Sequence, residues 1–171
     1  MNIYKYFTII FAIILFVLLK FWYAQASISE VLFLLKPTDF FIGIFTSSIS
    51  VFNSEIGFFN EELNIIINKS CSGFNFLVLS FLMLVFLLFK ANNTAKYSFL
   101  SIPISLFISY IITIFVNSAR ILFSLNMNKF SGNRFSWLHQ VEGTFVYLFF
   151  LIIVYFIFNQ LFTKYRNEKF A

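Results

Sequence analysis

The sequence predicts an all-α integral membrane protein, a bundle of about four transmembrane helices. Hydrophobic residues make up 60% of the 171 residues and charged residues only 11%, and a soluble domain of this length needs more charge to cover its surface. Four apolar stretches reach the length of about 17 to 25 residues that a membrane-crossing helix needs. They lie at about 7–24, 73–89, 97–122 and 144–162.

The first span follows Lys5 and ends near Ala24-Gln25-Ala26, which resembles a signal-peptidase site. We favour an uncleaved span, because a first span that stays in place is usual in a polytopic protein. Cleavage stays open as the alternative. No linker-like segment or internal repeat divides the chain, so we expect a single polytopic domain over residues 1–171.

Residues 28–52 form a less regular segment between the first two spans. Lys36-Pro37 interrupts an apolar run, and the residues after Asp39 mix apolar side chains with Thr and Ser. Each piece is too short for a straight span, and Pro37-Thr38-Asp39 would start a new helix well. We predict an interfacial helical segment here, made of two helices at the outer face, and leave open whether it crosses the membrane. The polar residues 53–70 predict a short extended segment leading into Cys71.

The basic residues predict the topology. Lys90 and Lys96 lie in the loop between the second and third spans, and three more basic residues follow the last span. Because cytoplasmic loops carry the excess of Lys and Arg, this loop and the tail are expected inside. Cys71, Arg120 and the loop 123–143 then lie outside. We expect a multi-pass protein of the cytoplasmic membrane, with the bilayer around it and an outer-face site.

Three residues at this outer face carry the predicted chemistry. Cys71 is the sole cysteine, and its position before an apolar span would place it near the positive end of a helix dipole, which favours the thiolate. His139 could take the thiol proton near neutral pH. Arg120 is flanked by apolar residues, where an arginine is usually paired, hydrated or functional. Together they suit nucleophilic attack with a cation to stabilise the oxyanion.

Four neighbouring residues support this candidate site. Ser72 and Gly73 are small and leave room for a peptide beside Cys71. Asn117 shares a helical face with Arg120, and Glu142 could orient His139. Taken singly, the site residues also have non-catalytic interpretations. Arg120 fits a snorkelling arginine, His139 an interfacial histidine, Cys71 an inert or acylated cysteine and Glu142 a solvated glutamate.

Several other functions are not expected. One cysteine and one histidine exclude an internal disulfide and make a metal centre improbable, so we predict no metal and no organic cofactor. The basic residues lie near span ends and form no stripe that could follow phosphates, so we predict no nucleic-acid partner.

Three residue blocks give the chain a resemblance to the exosortase/archaeosortase family. The blocks are Ser70-Cys71-Ser72-Gly73, Asn117-Ser118-Ala119-Arg120 and His139-Gln140-Val141-Glu142-Gly143. They are similar in order and spacing to the Cys-Ser-Gly, Asn-x-x-Arg and His blocks of that family, and the resemblance covers about residues 37–160. The chain is shorter than the larger exosortases and so resembles the compact exosortase K type. It departs from the family in having Phe74 after the cysteine block, where a small aliphatic residue is commoner.

The resemblance implies a membrane transpeptidase or protease that cleaves C-terminal sorting signals of membrane-anchored proteins at the outer face. It implies Cys71 as nucleophile, Arg120 as essential cation and His139 as third catalytic residue. The alternative is a non-catalytic accessory subunit or scaffold of an envelope-assembly complex, in which these residues form an interface. A small-solute transporter ranks last, because the spans show no charges near mid-membrane. The substrate, the acceptor and the oligomeric state are not indicated by the sequence.

Overall fold

A computed structural model describes the backbone of residues 3–91, 95–131 and 136–170, and the side chains of residues 6–90, 100–127 and 143–164. Most of this chain is helical. The helices are α1 Ile3–Gln25, α2 Leu32–Thr46, α3 Phe74–Ala91, α4 Ala95–Ser131 and α5 Ser136–Phe170. The strands are β1 Val51–Asn53, β2 Gly57–Asn60 and β3 Ile65–Ile67.

In the part of the chain that the structure describes, four helices are long and apolar enough to cross a membrane. Their apolar segments are Tyr6–Gln25, Lys69–Lys90, Leu100–Met127 and Gly143–Lys164. The prediction of a mostly helical chain with four membrane-length apolar helices is confirmed. Helix α4 continues to Ser131, past the expected end near Leu122. Its apolar segment itself reaches Met127, and extending a formed helix requires no new nucleation.

The predicted helix pair over residues 28–52 is wrong. A short 3₁₀ turn at Ser29–Val31 leads into the single helix α2, and Pro37 lies inside it. A proline in a helix interior costs about 3 kcal/mol. Here the buried face of α2 continues on both sides of Pro37, so packing outweighs that cost. The buried residues of this face are Leu34, Leu35, Thr38 and Ile42.

The residues between α2 and α3 in the sequence form a three-stranded antiparallel sheet with the strand order β1-β2-β3. Phe52 pairs with Phe58, and Phe59 with Ile66. The predicted extended segment before Cys71 corresponds to β3, whereas the sheet itself was not expected. Gly57 has φ +104°, and a Cβ there would meet the backbone of Ile67, so the start of β2 requires glycine.

The chain divides into two compact units. The first unit comprises residues 1–24, 75–111 and 149–171, and its core is built by Ala12, Phe81, Val85 and Ile102. The second unit comprises residues 25–74 and 112–148, with α2, the sheet and the adjoining parts of three helices. Every site residue predicted from the sequence falls in the second unit.

Asp39 makes the stability of the second unit dependent on pH. Burial raises the pKa of its carboxyl above the ordinary value of 3.8, and a hydrogen bond with Ser50 offsets part of the rise. The other oxygen, Oδ1, is buried without a hydrogen-bond partner in the described part of the chain. The folded state therefore holds this proton more strongly than the unfolded state, and stability falls as pH rises from 3.8 to the raised pKa.

We expect Asp39→Asn to raise the melting temperature at neutral pH, because the amide resembles the protonated carboxyl and carries no buried charge. Thermal unfolding in detergent should show the difference from wild type shrinking as the pH is lowered through the acidic range. A difference of the same size at every pH would contradict a titrating Asp39.

Candidate functional site

The position of Cys71 is fixed by the 3₁₀ turn Lys69–Cys71, the cysteine turn, which lies between β3 and α3. Asn68 begins this turn, and its side-chain oxygen accepts hydrogen bonds from the Ser70 N–H at 3.0 Å and the Ser70 hydroxyl at 2.6 Å. The Cys71 N–H donates to the Asn68 carbonyl at 2.9 Å. An asparagine side chain bonded two residues ahead holds the backbone in a turn, so the local sequence itself brings the chain from strand to helix.

The Cys71 thiol is partly exposed and lies just before the start of a helix. Its Sγ is 3.9 Å from the Ser70 hydroxyl. The buried Ser72 accepts a hydrogen bond from the N–H of Phe74, the first residue of α3, at 3.3 Å. The expected placement of the cysteine at the start of an apolar helix is therefore found, and Ser72 satisfies the first N–H of that helix.

Gly73 allows helix α4 to pack closely against the cysteine turn. Its φ is +73°, a conformation that side chains with a Cβ rarely adopt. A Cβ at this position would also lie 3.0 Å from Cγ of Asn117 and 3.2 Å from Cγ2 of Thr113. Both the backbone conformation and the approach of α4 thus require glycine here.

We expect Gly73→Ala to destabilise the protein by about 1–2 kcal/mol from the backbone strain alone, with the contact on Asn117 adding to it. The melting temperature in detergent should fall, and Cys71 should react faster with a small maleimide because its turn loosens. Gly143→Ala is the matched control. A Cβ at Gly143 would lie 3.6 Å from the nearest Arg120 atoms, an ordinary contact. Equal melting temperatures for the two variants would contradict this account of Gly73.

Asn117, on α4, connects the cysteine turn to helices α2 and α5. Its side chain is fully buried, and Nδ2 donates to the Cys71 carbonyl at 2.5 Å and to the Thr38 hydroxyl at 3.4 Å. Oδ1 accepts a hydrogen bond from the Tyr147 hydroxyl at 2.6 Å. An amide with both ends hydrogen-bonded is well tolerated in the interior, and it fixes the backbone of the nucleophile candidate.

Arg120 lies one helical turn after Asn117 on α4 and belongs to the same network. Its Nη1 donates to the Tyr147 hydroxyl at 2.9 Å, and its guanidinium carbon is 5.1 Å from the centre of that ring. Gly143 lies beside the guanidinium, and its lack of a side chain leaves room there. Among the side chains that the structure describes, no carboxylate pairs with Arg120.

Cys71 and Arg120 line the same pocket, which has a volume of about 170 Å³. One wall is strand β3 and the other is a face of α4. The remaining lining residues are Ile65, Ile66, Ile67, Ile121, Ser124 and Leu125. The pocket thus combines a thiol and a guanidinium with largely apolar walls.

The side chains of two predicted site residues, His139 and Glu142, lie outside the described residues. The backbone of both belongs to α5. His139, Gly143 and Tyr147 follow one another at intervals of four, so they share one face of that helix. Whether His139 reaches the thiol stays a prediction.

Sequence reasoning missed Tyr147 and Thr38. The sequence held one signal for Tyr147. Its hydroxyl group lies within an apolar span, four residues after Gly143 and so on the same helical face. Thr38 was interpreted as part of a helix start, and its distance of 79 positions from Asn117 left no local signal. The described residues also contain no group of three His, Cys, Asp or Glu side chains that could hold a metal ion.

The exosortase resemblance implies processing of a peptide substrate, and on that expectation Tyr147→Phe should lower processing about tenfold while leaving the protein folded, because the hydroxyl positions both Arg120 and Asn117. Tyr155→Phe, on an exposed part of the same helix, is the control and should resemble wild type. As a second readout, the charge-dependent binding of an acidic peptide should weaken in Tyr147→Phe and not in Tyr155→Phe. Equal processing by both variants would remove Tyr147 from the site.

The chain matches no protein-family profile, no curated protein and no solved structure. The resemblance to the exosortase/archaeosortase family rests on the three short residue blocks. The geometry of the second unit adds a pocket with a thiol and a guanidinium, and a buried network behind it. Such a pocket is chemically suited to covalent acyl transfer.

Proposed function

We propose that this protein is a membrane cysteine transpeptidase or protease that cleaves a C-terminal sorting signal at the outer face of the cytoplasmic membrane. The observation that carries the proposal is that Cys71 and Arg120 line one and the same pocket. A thiol and a guanidinium in one pocket supply the two groups that acyl transfer needs, a nucleophile and a cation that stabilises an oxyanion.

In the proposed reaction, Cys71 Sγ attacks the carbonyl carbon of the scissile peptide bond while His139 accepts the thiol proton. The carbonyl oxygen becomes an oxyanion, which Arg120 stabilises. The C–N bond then breaks, and His139 returns the proton to the leaving amine. The acyl group remains on Cys71 as a thioester, which an amine or a water molecule resolves to release the thiol.

Hydrogen bonding around the pocket supports these roles. A guanidinium has five N–H donors, and Tyr147 accepts one of them, so others can face an oxyanion. Asn117 and Gly73 hold the backbone of the cysteine turn against α4. A rigid support of this kind lowers the cost of orienting the nucleophile.

Membrane insertion is supported by the exposure of the apolar helices. Only 11% of the apolar segment of α1 and 6% of that of α5 are buried, compared with 67% for the segment that contains α3. Exposed apolar helices of this length are stable in lipid and aggregate in water. We propose four transmembrane helices, with α2 and the sheet at the outer face and Cys71 open to that side.

Blocking the single thiol from outside tests the proposal. In intact cells, a membrane-impermeant maleimide should label Cys71 and stop the processing of a co-expressed protein that carries a candidate C-terminal sorting signal. A membrane-permeant maleimide is the control for access. The accessory-subunit alternative predicts that processing continues after complete labelling, and that result would contradict the catalytic role.

A further inference from the structure

The pocket lies along the edge of strand β3 that faces away from β2. Successive side chains of a strand point to opposite faces, yet all three consecutive residues of β3, Ile65, Ile66 and Ile67, line this pocket. A cavity that touches three consecutive strand residues runs along the strand edge. Since β2 occupies one edge of β3, the pocket borders the other.

That edge has hydrogen-bonding capacity left. In an antiparallel pair, alternate residues direct their N–H and C=O groups away from the partner strand. Within the described part of the chain, no further strand pairs with β3. An unpaired strand edge is a template for an additional extended chain.

The opposite wall is suited to the side chains of such an extended chain. Arg120, Ile121, Ser124 and Leu125 line the pocket from α4, and their spacing places them on one helical face. Two are apolar and one is a cation, and none of the described residues that line the pocket is acidic. An extended segment with apolar and acidic or neutral side chains complements this wall, and a basic segment does not.

We propose that the substrate binds as a fourth strand on the free edge of β3, beside Cys71 and facing Arg120. This inference rests on the proposed function, and it adds the mode of recognition. Main-chain hydrogen bonds to β3 supply affinity with little dependence on sequence, while the α4 wall selects against positive charge. A peptide paired with β3 lies beside the thiol, because Cys71 follows Ile67 by four residues and lines the same pocket.

The test uses the single cysteine as an anchor. The probe is the synthetic peptide acetyl-Thr-Val-Cys-Glu-Val-amide, supplied as its mixed disulfide with 2-mercaptoethanol. The Cys71 thiolate of the full-length protein in detergent attacks the peptide sulfur, the S–S bond breaks, and 2-mercaptoethanol leaves. Mass spectrometry measures the coupled fraction at equilibrium with a small thiol. A series of peptides, each N-methylated at one amide, removes single N–H donors while leaving the side chains and the protein unchanged.

Strand addition predicts an alternating result. N-methylation should lower the coupled fraction about five- to tenfold at every second amide and little at the amides between, because only alternate N–H groups face β3. Replacing the Glu of the peptide with Lys should also lower it. An effect that is absent or equal at all positions would overturn the proposal.

The result is separable from the proposed function. Disulfide coupling needs binding beside Cys71 and no catalysis. If N-methylation has no alternating effect while Cys71→Ala abolishes processing, strand addition is wrong and the enzyme assignment stands. If coupling alternates while Cys71→Ala processes normally, the docking edge stands and the enzyme assignment is wrong. Coupling that requires two copies of the chain per peptide would identify the edge as a self-association surface and also overturn the proposal.

Discussion

Cys71→Ala is expected to abolish substrate processing, lowering it by at least about a thousandfold, because alanine has no nucleophile with which to form the acyl-enzyme. The substitution removes one partly exposed sulfur atom. The backbone groups of Cys71 that bond to Asn68 and Asn117 are retained, so the variant should insert and fold. Release of the C-terminal segment of a co-expressed substrate, followed by immunoblotting, measures the loss.

Ser70→Ala is the matched control for this variant. It removes an exposed hydroxyl 3.9 Å from the sulfur, in the same turn. The Ser70 N–H still donates to Asn68, so the turn is kept. Near-normal processing by Ser70→Ala together with loss in Cys71→Ala supports the nucleophile. Normal processing by a membrane-inserted Cys71→Ala protein would contradict it and favour the accessory-subunit alternative.

Arg120→Gln is expected to lower processing by about a hundred- to a thousandfold, the usual cost of removing one oxyanion-stabilising group. Glutamine keeps part of the length and a hydrogen-bond donor for Tyr147 but has no charge. Arg120→Lys should recover only a small part, since an ammonium lacks the planar guanidinium donors. Initial rates of processing in membranes measure both variants.

Lys20→Gln is the control for the loss of a positive charge. Lys20 is an exposed lysine on α1 that donates to Asn75 at 2.6 Å, and it belongs to the first unit, which contains none of the site residues. Its variant should process substrate at the wild-type rate. If Arg120→Gln also keeps the wild-type rate, Arg120 is a structural anchor rather than a part of the reaction.

The sequence predicted the parts of the fold that depend on amino-acid composition and on the pattern of apolar residues. Long apolar runs are a strong local signal, and the four membrane-length helices were found near their expected positions. Helix α2 was predicted wrongly because Pro37 was interpreted as a break. Its continuity depends on a buried face that forms only in the tertiary structure. The sheet was missed since its strands are three or four residues long, too short to show a clear alternation.

The candidate site was predicted in part. Cys71, Arg120 and Asn117 lie together in the second unit, whereas the outer-face topology from which Cys71 and Arg120 were expected to be close stays a prediction. Tyr147 and Thr38 were not predicted, because their contacts join residues distant in sequence and leave no motif. The positions of the His139 and Glu142 side chains stay predictions.

The measurement that tests the central claim most directly is detection of the acyl-enzyme. Membranes containing the protein and a candidate sorting-signal substrate are quenched in acid during turnover, and the peptide containing Cys71 is analysed by mass spectrometry. We expect a substrate-derived acyl group on Cys71 that neutral hydroxylamine releases, as it releases a thioester. Efficient turnover with no hydroxylamine-sensitive adduct on Cys71 would contradict the account.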